Sequence, residues 1–278
     1  MAANFTLADP AAHGFQNATN YDKNRPSYPP EAVEKLLSSL NVANKKNAKI
    51  IDLACGTGKF TVLLEARPEE YEIVAVEPHK AMRETLEAKN LGTKVKVLEG
   101  NAASIPLEDG WADACIAAQA FHWFATEESL KEISRVIKPN ALFGMIWNAE
   151  DYNAPQSWNP TTQWEQKLKD IIVTLEDGHS RFRHFQWNKV FERQQVDNHP
   201  LFSAPIEEHT VKWTVWLTDN SIWERLTTLS QIAVLEESKT LKVKEAVLDI
   251  LKGSDVERNE NGEIALHGST FIAWTTKV

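Results

Sequence analysis

Cysteine, methionine and long apolar runs are scarce in this chain. Only two of its 278 residues are cysteine and three are methionine. The first 22 residues contain no lysine or arginine and no apolar run long enough for a signal peptide, and no uninterrupted apolar stretch anywhere reaches the length of a membrane span. Cys55 and Cys115 lie in apolar runs, so the sequence predicts a cytoplasmic protein with reduced core thiols.

Positive charge is also in deficit. The chain carries 30 lysines and arginines against 39 aspartates and glutamates, for a net charge of −9. Nucleic acids and anionic membranes attract basic surfaces, so neither is the expected partner. No set of residues with metal-ligand spacing is visible, and no heptads suggest a coiled coil. We therefore expect a monomer that binds a small molecule and no metal.

Short apolar strands alternate with amphipathic helices in the first half of the chain. Such alternation predicts a parallel sheet covered by helices on both faces. Strands are predicted at 49–55, 72–76, 94–98, 112–118 and 141–147, and helices at 29–40, 58–67, 78–89 and 127–137.

The second half has a different texture. Residues 148–205 are rich in tryptophan and are predicted to form a helical insertion that caps the sheet. Long strands predicted at 207–217 and 264–274, separated by helices at about 221–252, indicate that the sheet ends in an antiparallel pair. We expect one domain over 1–278, made of an N-terminal segment and helix (1–47), a cofactor-binding core (48–147), the insertion (148–205) and the C-terminal strands and helices (206–278).

The segment that carries chemistry is the run Ile50-Ile-Asp52-Leu-Ala-Cys-Gly56-Thr-Gly58, an apolar strand that turns through two glycines into a helix. Glycines let the backbone approach a ligand closely, and a helix N-terminus favours polar or anionic groups. Glu77 ends the next strand, where an acidic residue accepts hydrogen bonds from ribose hydroxyls. The combination predicts a cofactor that contains a nucleoside.

The choice of cofactor depends on what surrounds the glycines. A nicotinamide cofactor requires a third small residue where this chain has Thr61. Asp52 lies just before the loop, where its carboxylate suits an ammonium group better than a pyrophosphate. S-adenosylmethionine carries such an ammonium, so it is favoured over a nicotinamide cofactor.

Four motifs in order then resemble the class I S-adenosylmethionine-dependent methyltransferases. They are Asp52-Leu-Ala-Cys-Gly-Thr-Gly58, Val-Glu77-Pro78, Gly100-Asn101-Ala102 and Gln119-Ala-Phe-His-Trp-Phe124. The resemblance covers about residues 15–150. With the segment from Tyr21 to Pro29, it is similar to the branch of trans-aconitate methyltransferases and of fungal methyltransferases that act on small molecules, including those that act on gliotoxin-type dithiols. It implies an α/β, Rossmann-like fold with a seven-stranded, mostly parallel sheet.

The resemblance also implies roles for single residues. Ala54, Gly56, Gly58 and Gln119 would line the methionine part of S-adenosylmethionine, beside the ammonium group that Asp52 is expected to meet, and Glu77 would bind its ribose. Pro78, Asn101 and Ala102 would lie beside the adenine, although the family usually has Asp in place of Asn101. Tyr21 and Arg25 would close over the cofactor, with Arg25 near its carboxylate.

Acceptor residues are expected in the aromatic segments. Phe15, His122, Trp123, Trp147 and Trp187 are the candidates, with His122 as a candidate catalytic residue, although in-line positioning supplies most of the catalysis. The favoured reaction is S-methylation of an epipolythiodioxopiperazine dithiol, for which an aromatic pocket is suited. Carboxyl O-methylation of a small organic acid held by Arg181, Arg183 or Lys189 is the alternative, and a non-catalytic regulator that binds S-adenosylmethionine is a second one.

Overall fold

The computed structural model describes residues 22–175, 178–196 and 200–278. A seven-stranded sheet forms its centre, in the order β3-β2-β1-β4-β5-β7-β6. The strands are β1 Lys49–Leu53, β2 Glu72–Val76, β3 Val95–Leu98, β4 Ala112–Ala118, β5 Ile137–Glu150, β6 Glu207–Leu217 and β7 Ile264–Thr276.

A helix precedes β1, and further helices connect β1 to β2, β2 to β3 and β4 to β5. The helices of the second half lie between β5 and β6 and between β6 and β7 along the chain. The helices are α1 Pro30–Ser39, α2 Lys59–Glu65, α3 Lys80–Glu87, α4 Glu127–Val136, α5 Gln163–Thr174, α6 Lys189–Val196, α7 Asp219–Leu226, α8 Ser230–Ala233 and α9 Glu237–Ile250. Helix α1 begins at Pro30, whose fixed φ suits a first turn, and buries Val33, Leu36 and Leu37.

The pairing of the strands confirms the predicted fold class. Strand β1 pairs in parallel with β2 and β4, β2 with β3, and β4 with β5. Strand β7 runs antiparallel to both β5 and β6. Its direction is therefore opposite to that of the other six strands, as expected for a Rossmann-like methyltransferase sheet.

Strand β5 is longer than the sequence predicted. The expected strand ended at Trp147, whereas the ladder with β7 continues to the pair Glu150↔Gly268. Asn148 and Glu150 are both buried although their side chains are polar. Their burial depends on β7, more than 100 residues later, so the local hydrophobic pattern could not indicate it.

The core lies on both faces of the sheet. Cys55 and Cys115 are buried and form no disulfide, as predicted. In helix α5 the buried face contains Trp164, Leu168 and Ile172. Across the described ranges, no helix is both long and apolar enough to cross a membrane.

Candidate functional site

The residues predicted to bind the cofactor follow the carboxyl ends of neighbouring parallel strands. Asp52 lies in β1, Glu77 follows β2, Asn101 follows β3 and Gln119 follows β4. Parallel strands of one sheet end at the same edge, which is where ligands bind in open α/β folds. The topology therefore brings these four residues to one edge.

The loop after β1 has an unusual backbone. Ala54, Gly56 and Gly58 all have positive φ, at 55°, 57° and 81°. At Gly58, a Cβ atom would lie 2.2 Å from Cδ1 of the buried Leu86. Glycine is therefore required there by both conformation and space. Ala54 adopts a positive φ although it has a side chain, and strained backbone of this kind is often found at functional sites.

Glu77 holds this loop against the end of β2. Its Oε2 accepts a hydrogen bond from the Gly56 N–H at 2.9 Å, and its Oε1 accepts one from the His79 N–H at 2.8 Å. The side chain is buried, which raises its pKa, while the two backbone hydrogen bonds act in the opposite direction. Glu77 thus fixes the geometry of the loop in addition to its predicted contact with ribose.

Asp52 is a buried carboxyl group with unused hydrogen-bonding capacity. Its Oδ2 accepts a hydrogen bond from the Thr61 hydroxyl at 2.6 Å, whereas Oδ1 has no partner among the described residues. Burial raises the pKa of Asp52 to about 7. A carboxyl group in this state is costly to the free protein and suited to a cationic ligand group.

Replacing Asp52 with Asn should therefore change how stability depends on pH. The folded-state pKa lies above the ordinary value of 3.8, so the folded protein retains a proton that the unfolded chain loses between about pH 4 and pH 7. The free energy of unfolding of the wild type falls as pH rises through that window. Relative to wild type, Asp52→Asn should gain on the order of 2 kcal/mol between pH 5 and pH 8, measured by urea unfolding without cofactor.

The exposed Asp249 provides a matched control for this experiment. Asp249→Asn should leave the difference in stability from wild type the same at pH 5 and pH 8. A constant difference for Asp52→Asn as well would mean that Asp52 ionises normally in the folded protein.

The N-terminal segment contacts the loop through a residue that the sequence did not single out. Asp22 Oδ1 accepts hydrogen bonds from the Thr57 hydroxyl at 2.7 Å and from Lys89 Nζ at 2.9 Å. This segment therefore lies beside the predicted cofactor loop. The candidates Phe15 and Tyr21 fall outside the described residues.

The predicted adenine residues lie after β2 and β3. Pro78 follows Glu77 directly, and its carbonyl accepts a hydrogen bond from Arg83 at 2.7 Å. Asn101 Oδ1 accepts a hydrogen bond from the Ala103 N–H at 2.9 Å, which closes a tight turn around the buried Ala102. Asn101 thus has a local role in the turn beside its predicted contact with adenine.

Gln119 connects the ends of β4 and β5. It has a φ of 59°, and its Nε2 donates a hydrogen bond to the Asn148 carbonyl at 2.9 Å. Asn148 in turn donates to the Ser27 carbonyl at 3.0 Å, so the end of the sheet is tied to the N-terminal segment. No sequence motif pointed to Asn148, because its hydrogen-bond partners come from distant parts of the chain.

A pocket that contains Gln119 lies at the ends of β4 and β5. We call it the arginine pocket, because three arginines contribute to it; its lining includes Arg25, Gln119, His122, Trp123, Asn148, Asn153, Arg181, Arg183 and Gln231.

The arginines of the arginine pocket are anchored by polar groups. Arg181 donates through Nε to the Ser230 hydroxyl at 3.1 Å, and Arg183 donates to Asn153 Oδ1 at 2.9 Å. Arg25 donates to the Thr228 carbonyl at 3.0 Å. Both Arg181 and Arg183 are buried, whereas Lys189, the third cation considered for an acid, is exposed and does not line the pocket.

His122 faces this pocket from a short 3₁₀ helix, Phe121–Trp123. Its Nδ1 accepts a hydrogen bond from the Trp147 indole N–H at 3.1 Å. Burial, together with the positive charges of Arg181 and Arg183, lowers the pKa of His122 to about 3. The imidazole is therefore neutral at physiological pH.

Trp147 and Trp187 do not form the pocket wall that the sequence suggested. They are 0% and 1% exposed, and their rings lie 4.7 Å apart inside an aromatic cluster with Phe182 and Phe271. Trp123 does line the pocket, and the guanidinium of Arg181 lies 5.9 Å from the centre of its ring. The exposed aromatic surface is thus smaller than expected.

Comparison with known proteins identifies the family. Residues 51–145 match the family model described as a methyltransferase domain. A protein of Mycobacterium tuberculosis (strain H37Rv) named as an uncharacterized methyltransferase is 30% identical over 242 residues, which cover 87% of this chain and 86% of that protein. The chain belongs to the methyltransferase family.

Solved structures support the fold of this methyltransferase. A protein of Anaeromyxobacter dehalogenans described as a candidate type II methyltransferase aligns with a TM-score of 0.56 at 19% identity, covering 91% of this chain and 97% of the other. Phosphoethanolamine N-methyltransferase 2 of Haemonchus contortus, in complex with phosphomonomethylethanolamine and S-adenosylhomocysteine, aligns with a TM-score of 0.55 at 12% identity, covering 98% of this chain and 60% of the other.

The methyltransferase uses S-adenosylmethionine as its cofactor, and the Haemonchus contortus structure contains the product of that cofactor, S-adenosylhomocysteine. The site fits that cofactor for two reasons. Gly56 and Gly58 have no side chain to keep a ligand from the backbone of the loop, and Asp52 Oδ1 is buried with no hydrogen-bond partner in the part of the chain that the structure describes. An ammonium group would satisfy such a carboxylate oxygen.

Proposed function

We propose that this methyltransferase methylates a carboxyl oxygen of a small organic acid bound in the arginine pocket. The observation that carries the proposal is the convergence of Arg25, Arg181 and Arg183 beside Gln119, at the carboxyl ends of β4 and β5. Guanidinium groups bind carboxylates through paired, charge-assisted hydrogen bonds, and arginine is for this reason the residue that proteins favour for binding planar anions.

The cofactor residues are proposed on the same edge of the sheet. Asp52 would hold the ammonium of S-adenosylmethionine, Gly56 and Gly58 would let the backbone approach it, and Glu77 would accept hydrogen bonds from the ribose hydroxyls. Gln119 lines the arginine pocket and follows β4, the neighbour of β1 in the sheet, so it would border both the cofactor and the acceptor. When bound, S-adenosylmethionine supplies a methyl group that its sulfonium already activates.

A carboxylate acceptor agrees with the state of His122. A carboxylate is ionised at neutral pH and needs no base before it is methylated. His122 is neutral, but its Nδ1 already accepts a hydrogen bond from the indole N–H of Trp147. This nitrogen is therefore not available to take a proton from an acceptor. The chain would then act by binding, orienting and shielding the acid from water.

S-methylation of a dithiol was the favoured hypothesis from the sequence, and it was based on an aromatic pocket. Because Trp147 and Trp187 are buried in the aromatic cluster, that basis is weakened. A thiol also has an ordinary pKa near 8.5, so only a small part of it is ionised at neutral pH. Reduced gliotoxin and similar dithiols are therefore not the proposed substrates, and they serve as the alternative acceptors in the assay that tests the proposal.

A methyl-transfer assay tests the proposal. The purified protein is incubated with methyl-labelled S-adenosylmethionine and either trans-aconitate or reduced gliotoxin, and the products are weighed by mass spectrometry before and after mild base. We expect a base-labile methyl ester of the acid. A base-stable product from the dithiol alone would overturn carboxyl transfer in favour of S-methylation.

Glu77→Gln should weaken binding of S-adenosylhomocysteine by about tenfold to a hundredfold, because an amide cannot accept the two backbone hydrogen bonds and a ribose contact together. Titration calorimetry measures the change. Glu72→Gln is the control, since Glu72 is exposed at the start of β2, the strand that Glu77 follows. Affinity equal to wild type for Glu77→Gln would remove Glu77 from the cofactor site.

A ribose contact can be separated from a loss of loop geometry. The wild type and Glu77→Gln should bind a cofactor analogue without the two ribose hydroxyls about equally if Glu77 acts through those hydroxyls. If the variant still binds the analogue less well, the effect comes from the hydrogen bonds to Gly56 and His79 instead.

A further inference from the structure

One hydrogen bond inside the protein determines which nitrogen of His122 carries its proton. The indole Nε1 of Trp147 donates to Nδ1 of His122 at 3.1 Å. An indole N–H can only donate, so Nδ1 must be the unprotonated nitrogen. In a neutral imidazole the proton then resides on Nε2, and this nitrogen becomes a hydrogen-bond donor.

The partner in this hydrogen bond is held rigidly. Trp147 is fully buried in β5, where it lies opposite Phe271 of β7 in the ladder. Its ring stacks on Phe182 at a centroid distance of 4.9 Å and lies 4.7 Å from the ring of Trp187. A side chain packed on several sides has little freedom to withdraw its N–H from His122.

The surroundings of His122 favour the same state. The ring lies in the arginine pocket with the positively charged Arg25, Arg181 and Arg183. These groups oppose a second proton on the ring, as burial does. His122 therefore stays neutral, with one donor.

We propose that Trp147 is a positioning residue that fixes His122 as an Nε2–H hydrogen-bond donor to the methyl acceptor. The inference rests on the proposed function in placing the acceptor in the arginine pocket. His122 would donate to the acceptor rather than take a proton from it, so the site would select acceptors that are already anionic. A carboxylate has such an acceptor oxygen, whereas a neutral thiol would have to lose its proton elsewhere.

The test uses a pair of matched variants. Trp147→Phe removes the indole N–H and keeps an aromatic ring in the cluster. Trp187→Phe makes the same change at the neighbouring ring, whose Nε1 has no hydrogen-bond partner among the described residues. Folding of each variant is checked by its affinity for S-adenosylhomocysteine, which should equal that of wild type.

The first measurement is the tautomer of His122, read from ¹⁵N NMR of histidine-labelled protein, with the signal assigned by its loss in His122→Asn. We expect the Nε2–H tautomer in wild type and in Trp187→Phe, and a mixture of tautomers in Trp147→Phe. The same mixture in both tryptophan variants, or an unchanged tautomer in Trp147→Phe, would overturn the role of Trp147.

The second measurement is acceptor kinetics. Loss of one donor to a charged acceptor should raise KM for the acid by about tenfold in Trp147→Phe, with no change in Trp187→Phe. A shifted tautomer with unchanged KM and kcat would overturn the donor role of His122. Absence of any turnover of acids by wild type would refute the proposed function instead, and the tautomer, which needs no turnover, would still test the role of Trp147.

Discussion

Gly58→Ala is expected to reduce the affinity for S-adenosylhomocysteine by more than about a hundredfold, a loss of roughly 3 kcal/mol. The new Cβ would lie 2.2 Å from Cδ1 of Leu86, which is buried, and the backbone at Gly58 has a φ of 81°. Either the loop or the Leu86 side chain of helix α3, which has little room because it is buried, must then shift, and the loop is the surface that would meet the cofactor. Titration calorimetry gives the affinity directly.

Gly262→Ala separates crowding from backbone strain. Gly262 has a similar φ of 77°, but nothing lies within 4 Å of a Cβ built on it. This variant should lose about 1 kcal/mol of stability from strain alone and bind the cofactor like wild type. Affinity of Gly58→Ala within threefold of wild type would contradict the proposed position of the cofactor.

Arg183→Gln is expected to raise KM for the acid by about tenfold to a hundredfold, the effect of losing hydrogen bonds from a charged group. Arg183 is buried in the arginine pocket and is oriented by Asn153 Oδ1 at 2.9 Å. Affinity for S-adenosylhomocysteine should not change, because Arg183 is proposed to contact only the acceptor. Steady-state kinetics and calorimetry on the same preparation measure both quantities.

Two further variants make this result specific to the pocket. Arg183→Lys keeps the charge and loses the planar fork, so it should fall between wild type and Arg183→Gln. Arg193→Gln changes an exposed arginine of helix α6 and should leave KM unaltered. An equal rise in KM for Arg183→Gln and Arg193→Gln would indicate a general effect of charge rather than a contact in the pocket.

Most of the fold could be predicted from local patterns. The bounds of β4 and β6 match the predictions, because each is a run of alternating or continuous apolar residues between clear polar segments. The place of the Ala54–Gly58 loop, for which cofactor binding is a prediction, was also predictable, since parallel strands of one sheet end at a common edge. These features depend on residues close together in the sequence.

The acceptor side was harder to predict. Tryptophan is a residue type suited to pockets for flat or apolar ligands, which is why Trp147 and Trp187 were predicted to line one. Only their contacts with Phe182 and Phe271, from other parts of the chain, show that they belong to the core. Asn148 is buried by β7, and its amide connects distant segments. Arg181 and Arg183 could be named from the sequence as cations for an acid, but not distinguished from the exposed Lys189.

The central claim is that the arginine pocket recognises a carboxylate beside the cofactor. Its most direct test is calorimetric titration of trans-aconitate, and of its trimethyl ester, into the protein saturated with S-adenosylhomocysteine. The acid should bind to wild type, the triester should not, and Arg183→Gln should lose most of the affinity for the acid. Equal binding of acid and triester, or binding of the acid that Arg183→Gln leaves unchanged, would contradict the claim.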